Sequence, residues 1–361
     1  MTGAARILQD KLPNLGLDAV LFNSSEFLWS PNLRYITGFT GSDAAVLLTA
    51  EAAHVFTDGR YKTQVMEQCP GFVTHVVRRK VDAIARTIKK SRVVRLGVES
   101  SRISYEFGAV LSVKVPETRL VPLKRSFLDA FRIQKSPEER AKIKEAARIA
   151  SESCKTLLGN GLKGRKEVSV AAELEGLFRQ RGAQGIAFDT IAASGPRSAL
   201  PHGKASNRVI RPGDLVVLDF GCKYEDYFSD ETVTCVVGPP DSDHKRMHRA
   251  VYEAHMRALD AVKPGVTARD LDAAARRSIE AAGYGKYFIH SLGHGVGLEI
   301  HEPPFLTSRN GARIDDGMVF TIEPGVYIEA LGGVRLESLI CMDGTHPEVV
   351  SLMTKELIRV D

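Results

Sequence analysis

The sequence lacks the features of membrane-spanning, secreted and disulfide-stabilised proteins. None of its apolar runs approaches the roughly 20 residues that a transmembrane helix needs, and the first segment, MTGAARILQDKLPNLG, contains no apolar run of signal-peptide length. The five cysteines are an odd number without a C-x-x-C pair, which argues against a disulfide framework and against a cysteine zinc knuckle. We therefore expect a cytoplasmic protein without a membrane partner.

The sequence also has little excess of one charge sign and few aromatic residues. The 49 basic and 44 acidic residues give a formal net charge of +5, and aromatic residues make up only 7% of the chain. We therefore expect no nucleic-acid partner, because an aromatic-studded basic stripe is missing. Hydrophobic residues at 43% and charged residues at 26% exclude a disordered or low-complexity chain. The length of 361 residues favours two domains.

Short apolar strands and helical stretches alternate in the first hundred or so residues. We predict helices at 59–69 and 80–90 and strands at 18–22, 44–49, 54–58 and 93–99. This alternation indicates an α/β layered domain over residues 1–130. The tetrapeptide SPEE at 136–139 has the pattern of a capping box with proline at the first helical position. A linker at 128–136 is therefore expected to lead into a second domain, 136–361.

The second domain contains two segments that resemble each other. We predict its helices at 137–158, 166–181, 242–262 and 267–282, with β segments between and after them. Residues 213–221 (GDLVVLDFG) align with residues 317–325 (GMVFTIEPG) at an offset of 104. Each copy delivers two acids, namely Asp219 and Asp230 in the first half and Glu323 and Glu337 in the second. The repeat predicts pseudo-symmetric halves that close on one site.

The four repeated acids predict a metal site. A lone charge at the end of a half-buried strand is unfavourable. Turn-like stretches at 222–228 and around 329–333 would bring the two acids of each half face to face across a hairpin. Four buried acids repel one another unless a cation compensates them, so a bound metal is the simplest explanation.

Histidines in a glycine-rich stretch support the same prediction. The segment HSLGHGVGLEIH places His290, His294 and His301 within twelve residues. Mixed carboxylate and imidazole ligands suit zinc, manganese, cobalt or iron rather than calcium. Four acids with one histidine exceed what one tetrahedral ion needs, and they suit two ions about 3.5–4 Å apart with a bridging water.

Other histidines have no acid cluster near them in the sequence. Three of them lie four and seven residues apart on a charged segment, and we interpret them as a solvated helix face: His244, His248 and His255. We give the same surface interpretation to His54, His75 and His346.

Five residues, with the motifs around them, resemble the metal ligands of a known family. Asp219, Asp230, His294, Glu323 and Glu337 look like the five ligands of the pita-bread metallopeptidases, which include prolidase, aminopeptidase P and methionine aminopeptidase. The motifs LDFG, SDETVT, HSLGHGVGLEIHEPP, FTIEPGVY and GVRLES carry the resemblance over roughly 136–361. In the N-terminal part, NLRYITGFTGS and FTDGRY resemble the creatinase-like domain of prolidases and aminopeptidases P.

The resemblance implies a fold and a set of ligand roles. The expected fold class is α/β (α+β), with a creatinase-like α/β N-terminal domain followed by a pseudo-symmetric pita-bread catalytic domain. Asp219 would bind one divalent ion, His294 and Glu323 would bind the other, and Asp230 and Glu337 would bridge both. Manganese is the metal we expect first, with cobalt, zinc or iron as alternatives, and a homodimer is the expected assembly.

The resemblance also implies roles around the metals. Glu323 would serve as the general base. His202 would be a catalytic histidine near the substrate and its leaving group. His290 and His301 would hold the scissile carbonyl and stabilise its tetrahedral intermediate, with His290 as a substrate-binding residue and His301 as a catalytic one. Arg335 would orient the substrate-binding site beside the last ligand.

Two positions depart from the family pattern. Val233 replaces the arginine of the usual D-x-T-R-T motif, and Ser338 stands where an aspartate often follows the last ligand. Because we expect both side chains to lie around the ligands rather than to bind metal, we expect the departures to alter efficiency and metal preference rather than the reaction.

The implied activity is hydrolysis of the bond between an N-terminal residue and a following proline by a dinuclear-metal exopeptidase. One alternative is a methionine aminopeptidase-like peptidase, although such enzymes resemble only the C-terminal part of this chain. Another is a catalytically dead peptide-binding module, although such relatives typically lose ligands that are all present here. The motifs leave open whether the substrate is an Xaa-Pro dipeptide or a longer peptide with proline second.

Overall fold

The protein divides into two units, Met1–Arg132 and Ile133–Asp361. The structure is a computed structural model that describes residues 2–329 and 331–361, so Ala330 of the predicted turn at 329–333 lies outside the described residues. In the described part of the chain, each helix is either too short or too polar to cross a bilayer. The five cysteines are buried and free.

The N-terminal unit is an α/β layered domain, as the sequence predicts. Its elements are α1 (Gly3–Lys11), β1 (Ala19–Ser24), α2 (Pro31–Thr37), β2 (Ala44–Thr49), β3 (Ala53–Thr57), α3 (Lys62–Gln68), β4 (Val73–Val76), α4 (Lys80–Lys90), β5 (Arg95–Val98), α5 (Tyr105–Lys114), β6 (Arg119–Pro122) and α6 (Arg125–Asp129). The strands form one mixed sheet in the order β4-β3-β2-β1-β5-β6. Apolar clusters cover both of its faces, with α1 and α2 on one and α4 and α5 on the other.

The sequence prediction misses the two edge strands of this sheet. β4 (VTHV) and β6 (RLVP) have exposed first and last residues, so they lack the apolar run that marks the four central strands. The central strands begin and end within two residues of their predicted positions. Burial on both sides of the sheet is therefore what made these strands recognisable.

The elements of the C-terminal unit continue the numbering. They are α7 (Pro137–Gly159), α8 (Glu167–Gln180), β7 (Gly185–Ile186), β8 (Ile191–Ser194), β9 (Leu215–Phe220), β10 (Cys222–Tyr224), β11 (Tyr227–Phe228), β12 (Glu231–Val237), α9 (Ser242–Asp260), α10 (Ala268–Ala281), β13 (Gly293–Gly295), β14 (Glu302–Leu306), β15 (Val319–Ile322), β16 (Gly325–Ile328), β17 (Gly332–Arg335), β18 (Ser338–Asp343), β19 (His346–Val349) and β20 (Ile358–Val360). The four helices match the predicted segments. The predicted capping box opens α7, with Ser136 Oγ accepting from the Glu139 amide and the Glu139 carboxylate accepting from the Ser136 amide.

The two halves of this unit repeat one arrangement, as the alignment of 213–221 with 317–325 predicts. In the first half α7 and α8 pack on a sheet with the order β20-β12-β9-β8. In the second half α9 and α10 pack on a sheet with the order β14-β13-β15-β18-β19. Each half inserts a hairpin between two central strands, β10–β11 between β9 and β12, and β16–β17 between β15 and β18. Each pair of acids therefore flanks a hairpin.

The histidines of α9 do not form a solvated face, so that interpretation is wrong. His244, His248 and His255 are 7%, 5% and 1% exposed. Helical spacing, rather than the charged neighbours in sequence, decides which side chains are covered. These three share the side of α9 that packs into the core through Met247, Val251, Ala254 and Ala258.

The surface interpretation of the other three histidines is only partly right. His54 on β3 and His75 on β4 are half-buried, and His54 Nδ1 lies 3.1 Å from His75 Nε2. The two strands pair in parallel, which brings the imidazoles together on one face of the sheet. His346 is exposed.

Candidate metal centre

The four predicted acids lie at the ends of the central strands of the two sheets. Asp219, on β9, pairs with Thr232 of β12, and Asp230 directly precedes β12. In the second half, Glu323 directly follows β15 and Glu337 directly precedes β18. The Glu337 amide donates to the Thr232 carbonyl at 3.0 Å and so joins the two sheets. The strand ends of both halves therefore meet at one place.

His294 brings an imidazole to the same place. It lies at the centre of β13, with Nδ1 3.1 Å from the carbonyl oxygen of the next residue. A proton on Nδ1 leaves Nε2 available as a metal ligand. Nε2 is 3.6 Å from Asp230 Oδ2 and 3.5 Å from Glu323 Oε1. Ligand atoms of Asp230, His294 and Glu337 all lie within 4.8 Å of one another.

Glycines on either side of His294 permit this close packing. A Cβ on Gly293 would lie 2.1 Å from the Thr321 carbonyl oxygen, and a Cβ on Gly295 would lie 2.3 Å from the Pro303 carbonyl oxygen. Because any side chain would collide with backbone, only glycine fits. The glycine-rich stretch thus has a steric function, since it lets β13 lie tightly between β14 and β15.

The acids are buried or largely buried, and they are close enough to repel one another. Burial, together with the charges of Glu337, Asp219 and Glu323, raises the pKa of Asp230 well above its ordinary value. Burial and Glu337 likewise raise the pKa of Glu323, and burial with Asp219 raises the pKa of Glu337 to about 8. Asp219 Oδ1 is buried without a hydrogen-bond partner among the described residues. A cluster of this kind fits divalent cations, which supply the missing positive charge.

Arg335 links the acids to a tyrosine. Its side chain is 4% exposed, and it donates through Nη2 to Asp219 Oδ2 at 2.6 Å and through Nη1 to the Tyr327 hydroxyl at 2.8 Å. Its Nε donates to Thr232 Oγ1 at 3.2 Å, and that hydroxyl donates to Glu337 Oε2 at 2.7 Å. Thr232 and Tyr327 are not among the site residues predicted from the sequence. For Thr232 the signal was available, because a strand that begins after an inward-facing acid directs alternate residues to the same face.

Three further histidines line the same cavity, whose volume is about 470 Å³. His290 Nε2 lies 3.0 Å from the Tyr327 hydroxyl, and the His301 ring lies edge-on to that of His294 at 4.2 Å between centroids. Burial lowers the pKa of His290 and of His294 to about 4 and also lowers the pKa of His301. These imidazoles are therefore neutral at pH 7. His202 is the third of the lining histidines.

A buried ion pair lies directly behind Asp230. Glu231 Oε1 accepts from Lys355 Nζ at 2.6 Å and from the Met353 amide at 3.1 Å, and Oε2 accepts from the Ser151 hydroxyl. Lys355 and Glu231 are 8% and 2% exposed, so a second cation is buried near the acids. No local pattern predicts this pair, because its members lie 124 residues apart.

The two departures from the family pattern lie at buried positions. Val233 is 1% exposed and belongs to the apolar cluster beneath α7 and α8. It lies between Thr232 and Thr234, both of which bond to the Arg335 segment. Ser338 Oγ is 3.1 Å from His255 Nε2.

The fold and the acid-rich cavity define a two-domain metallopeptidase. Residues 141–343 match Metallopeptidase family M24, and residues 6–134 match the Creatinase/Prolidase N-terminal domain. The chain therefore belongs to the M24 metallopeptidases, and the family resemblance predicted from its motifs is confirmed. Membership of this family implies that divalent metal ions bind to the protein.

Similar proteins cover nearly the whole chain. The chain is 39% identical to an Xaa-Pro dipeptidase of Pyrococcus horikoshii over 95% of both chains. The solved Xaa-Pro dipeptidase of Bacillus anthracis has a TM-score of 0.94 at 37% identity and covers 99% of both chains. The X-Pro aminopeptidase of Thermotoga maritima has a TM-score of 0.91 at 35% identity, covering 97% of this chain and 100% of that one. These structures share the pita-bread arrangement of two halves.

Proposed function

We infer that the chain is a metal-dependent Xaa-Pro peptidase, which hydrolyses the bond between an N-terminal residue and a following proline. One observation carries the proposal: the five ligand-type side chains, Asp219, Asp230, His294, Glu323 and Glu337, line a single cavity. An Xaa-Pro bond is a tertiary amide without an N–H. An enzyme therefore cannot bind it through an N–H donor, and a site that binds the carbonyl oxygen suits it. The match of residues 6–134 to the Creatinase/Prolidase domain argues against a methionine aminopeptidase.

The charges around the cavity support two divalent ions. Five buried or largely buried carboxylates, including Glu231, face two buried cations, Arg335 and Lys355. With neutral histidines the fully ionised cluster carries three uncompensated negative charges. Two divalent ions together with one hydroxide would supply three positive charges, whereas a single ion would leave the site negative. Because uncompensated buried charge is costly, the balance favours a dinuclear site.

The proposed ligand roles divide the five side chains between the two ions. Asp219 would hold one ion, His294 and Glu323 the other, and Asp230 and Glu337 both. Bound divalent ions polarise the scissile carbonyl and lower the pKa of water. Manganese as the native metal, a homodimer and a cytoplasmic location belong to the same proposal.

The remaining chemistry falls to side chains around the ions. Glu323 would take the proton from the attacking water as general base. His301 and His290, which burial keeps neutral, would donate hydrogen bonds to the oxygen of the scissile carbonyl. His202 would lie near the proline nitrogen that leaves. Arg335 would fix Asp219 through the 2.6 Å contact between Nη2 and Oδ2.

Substrate selectivity tests the proposed activity. We expect the manganese-loaded protein to hydrolyse Ala-Pro at least about 10²-fold faster than Met-Ala or Ala-Ala, since a pocket shaped for one side chain discriminates to this order. The measurement is kcat/KM for each peptide. Equal rates on Met-Ala and Ala-Pro would favour a methionine aminopeptidase-like enzyme, and no hydrolysis of any peptide by fully metal-loaded protein would indicate an inactive module.

Metal titration tests the dinuclear site. We expect the chelated and dialysed protein to bind two manganese or cobalt ions per chain, as measured by calorimetry and by elemental analysis. Asp219→Asn is expected to weaken one of the two binding events selectively, because Asp219 would contact only one ion. Saturation at a single ion in the unmodified protein would contradict the charge argument, and full peptidase activity without metal would contradict the proposed chemistry.

A further inference from the structure

Of the cavity-lining residues that the structure describes, Lys204 and Asp189 form an ion pair in which both side chains are exposed. Among the described residues that line the cavity, Arg335 and Lys204 are the permanent cations. Arg335 already donates hydrogen bonds to Asp219 and Tyr327. Lys204 Nζ instead lies 2.7 Å from Asp189 Oδ2, and the two side chains are 78% and 68% exposed. Lys204 is thus the cation of this cavity that a ligand can reach.

The backbone at Lys204 is fixed although its side chain is exposed. The Lys204 carbonyl accepts from Arg197 Nη2 at 2.6 Å, and Arg197 Nε donates to the buried Glu167 at 3.1 Å. Asp189 lies in the loop between β7 and β8. Water and salt screen an exposed ion pair, so such a pair contributes little stability. The ammonium group can therefore exchange Asp189 for another anion at small cost.

An Xaa-Pro dipeptide carries an anion of its own. Its C-terminal carboxylate lies one residue beyond the scissile bond, or about 3.3–3.6 Å along an extended chain. In a longer peptide the same position is a neutral amide. Acids dominate the lining of the cavity, namely Asp189, Asp219, Asp230, Glu323 and Glu337. A free carboxylate would be repelled there without a cation to receive it.

We propose that Lys204 binds the C-terminal carboxylate of the substrate and makes the enzyme selective for Xaa-Pro dipeptides over longer peptides; this rests on the Xaa-Pro activity proposed above. The ammonium group leaves Asp189 and pairs with the substrate carboxylate. Lys204 follows His202 by two residues, and both line the cavity. The two side chains therefore reach neighbouring parts of the substrate. His202 lies near the proline nitrogen, and Lys204 binds the carboxylate. Phe188 and Phe305 give the cavity apolar surface for the proline ring.

Three related substrates separate a carboxylate contact from a general loss of activity. Ala-Pro, its C-terminal amide Ala-Pro-NH2 and the tripeptide Ala-Pro-Ala are compared at saturating manganese. The unmodified enzyme is expected to prefer Ala-Pro. In Lys204→Met, kcat/KM for Ala-Pro is expected to fall about tenfold, mainly through KM, because a charge-assisted hydrogen bond is lost. The preference for Ala-Pro over its amide should fall by the same factor.

Further variants test the charge and its competitor. Lys204→Arg is expected to retain most of the preference, since the positive charge remains. Asp189→Asn removes the competing anion and should lower KM for Ala-Pro. Lys155→Met, at an exposed position on α7 outside the cavity, is the matched control and should leave all three rates unchanged.

The possible failures can be told apart. An equal loss of kcat/KM on Ala-Pro and Ala-Pro-NH2 in Lys204→Met would overturn the assignment of Lys204. So would an unmodified enzyme that hydrolyses Ala-Pro-Ala as readily as Ala-Pro. Both results leave Xaa-Pro hydrolysis intact. If the manganese-loaded enzyme hydrolyses none of the three substrates, the proposed function is wrong and the role of Lys204 is wrong with it.

Discussion

Replacing Glu323 with glutamine is expected to lower kcat for Ala-Pro by about 10²–10⁴-fold, the usual contribution of a general base. Glutamine has the shape of a protonated glutamic acid but cannot take a proton from the attacking water. Burial raises the pKa of Glu323 well above its ordinary value, so the metal-free fold already accommodates a neutral side chain there. The loss should therefore appear in turnover rather than in the yield of folded protein.

The matched control for this variant is Glu329→Gln. Glu329 is exposed in the turn between β16 and β17, so the same chemical change is made in the same hairpin away from the acids. Because Glu323 is also a proposed ligand, metal content must be measured beside kcat at saturating metal. If both variants lose activity to the same extent, or if Glu323→Gln keeps full turnover, Glu323 is not the base.

The acids and His294 could be predicted because their signals are local. A carboxylate that ends an apolar strand is visible in sequence, and so is a histidine between glycines. The contacts that complete the site depend on register and on distant segments. Tyr327 reaches His290 and Arg335 only through the β16–β17 hairpin, and Lys355 reaches Glu231 from 124 residues away. No spacing in one sequence specifies such pairs.

The fold follows the same division between local and distant signals. Apolar periodicity and caps predicted α3, α4 and the four helices of the second unit, and buried apolar runs predicted the central strands. The helices α1, α2, α5 and α6 were not predicted. The half-exposed edge strands β4 and β6 carry no such run. The opposite error was made for the histidines of α9. Their charged neighbours in sequence suggested a solvent-exposed face, but the histidines are buried. His255 is 1% exposed and reaches Ser338 of β18, a contact that only the packing of α9 on the second sheet creates.

The metal-free protein is expected to become less stable as the pH rises from 7 to 8. Burial and Asp219 raise the pKa of Glu337 from 4.5 to about 8, and the pKa values of Asp230 and Glu323 are also raised. An acid whose pKa is raised by folding holds a proton that the unfolded chain releases. Its contribution to stability is complete below the pKa of the unfolded chain and is lost as the pH rises through the folded pKa.

Histidines act in the opposite direction at lower pH, which fixes the useful window. Burial lowers the pKa of His248, His290 and His294 from 6.5 to about 4 and that of His255 to about 3. Such groups lower the free energy of unfolding as the pH falls below 6.5, because the unfolded chain then binds protons that the folded chain does not bind. Their contribution to the slope fades above 6.5, because only about a quarter of each imidazole is still protonated in the unfolded chain at pH 7. The carboxyl groups therefore dominate the slope between pH 7 and 8.

Urea unfolding at intervals across this window tests the expectation. Each carboxyl that deprotonates only on unfolding contributes up to about 1.4 kcal/mol per pH unit to the slope, so the metal-free protein in chelator should show a clear decline. With saturating manganese the decline should vanish, because metal ligands are already deprotonated in the folded state. Glu337→Gln should flatten the metal-free slope, whereas Glu329→Gln should leave it unchanged. A slope that is identical in Glu337→Gln and the unmodified protein would assign the effect to other groups, and a slope that persists at saturating metal would mean that these carboxylates do not hold the ions.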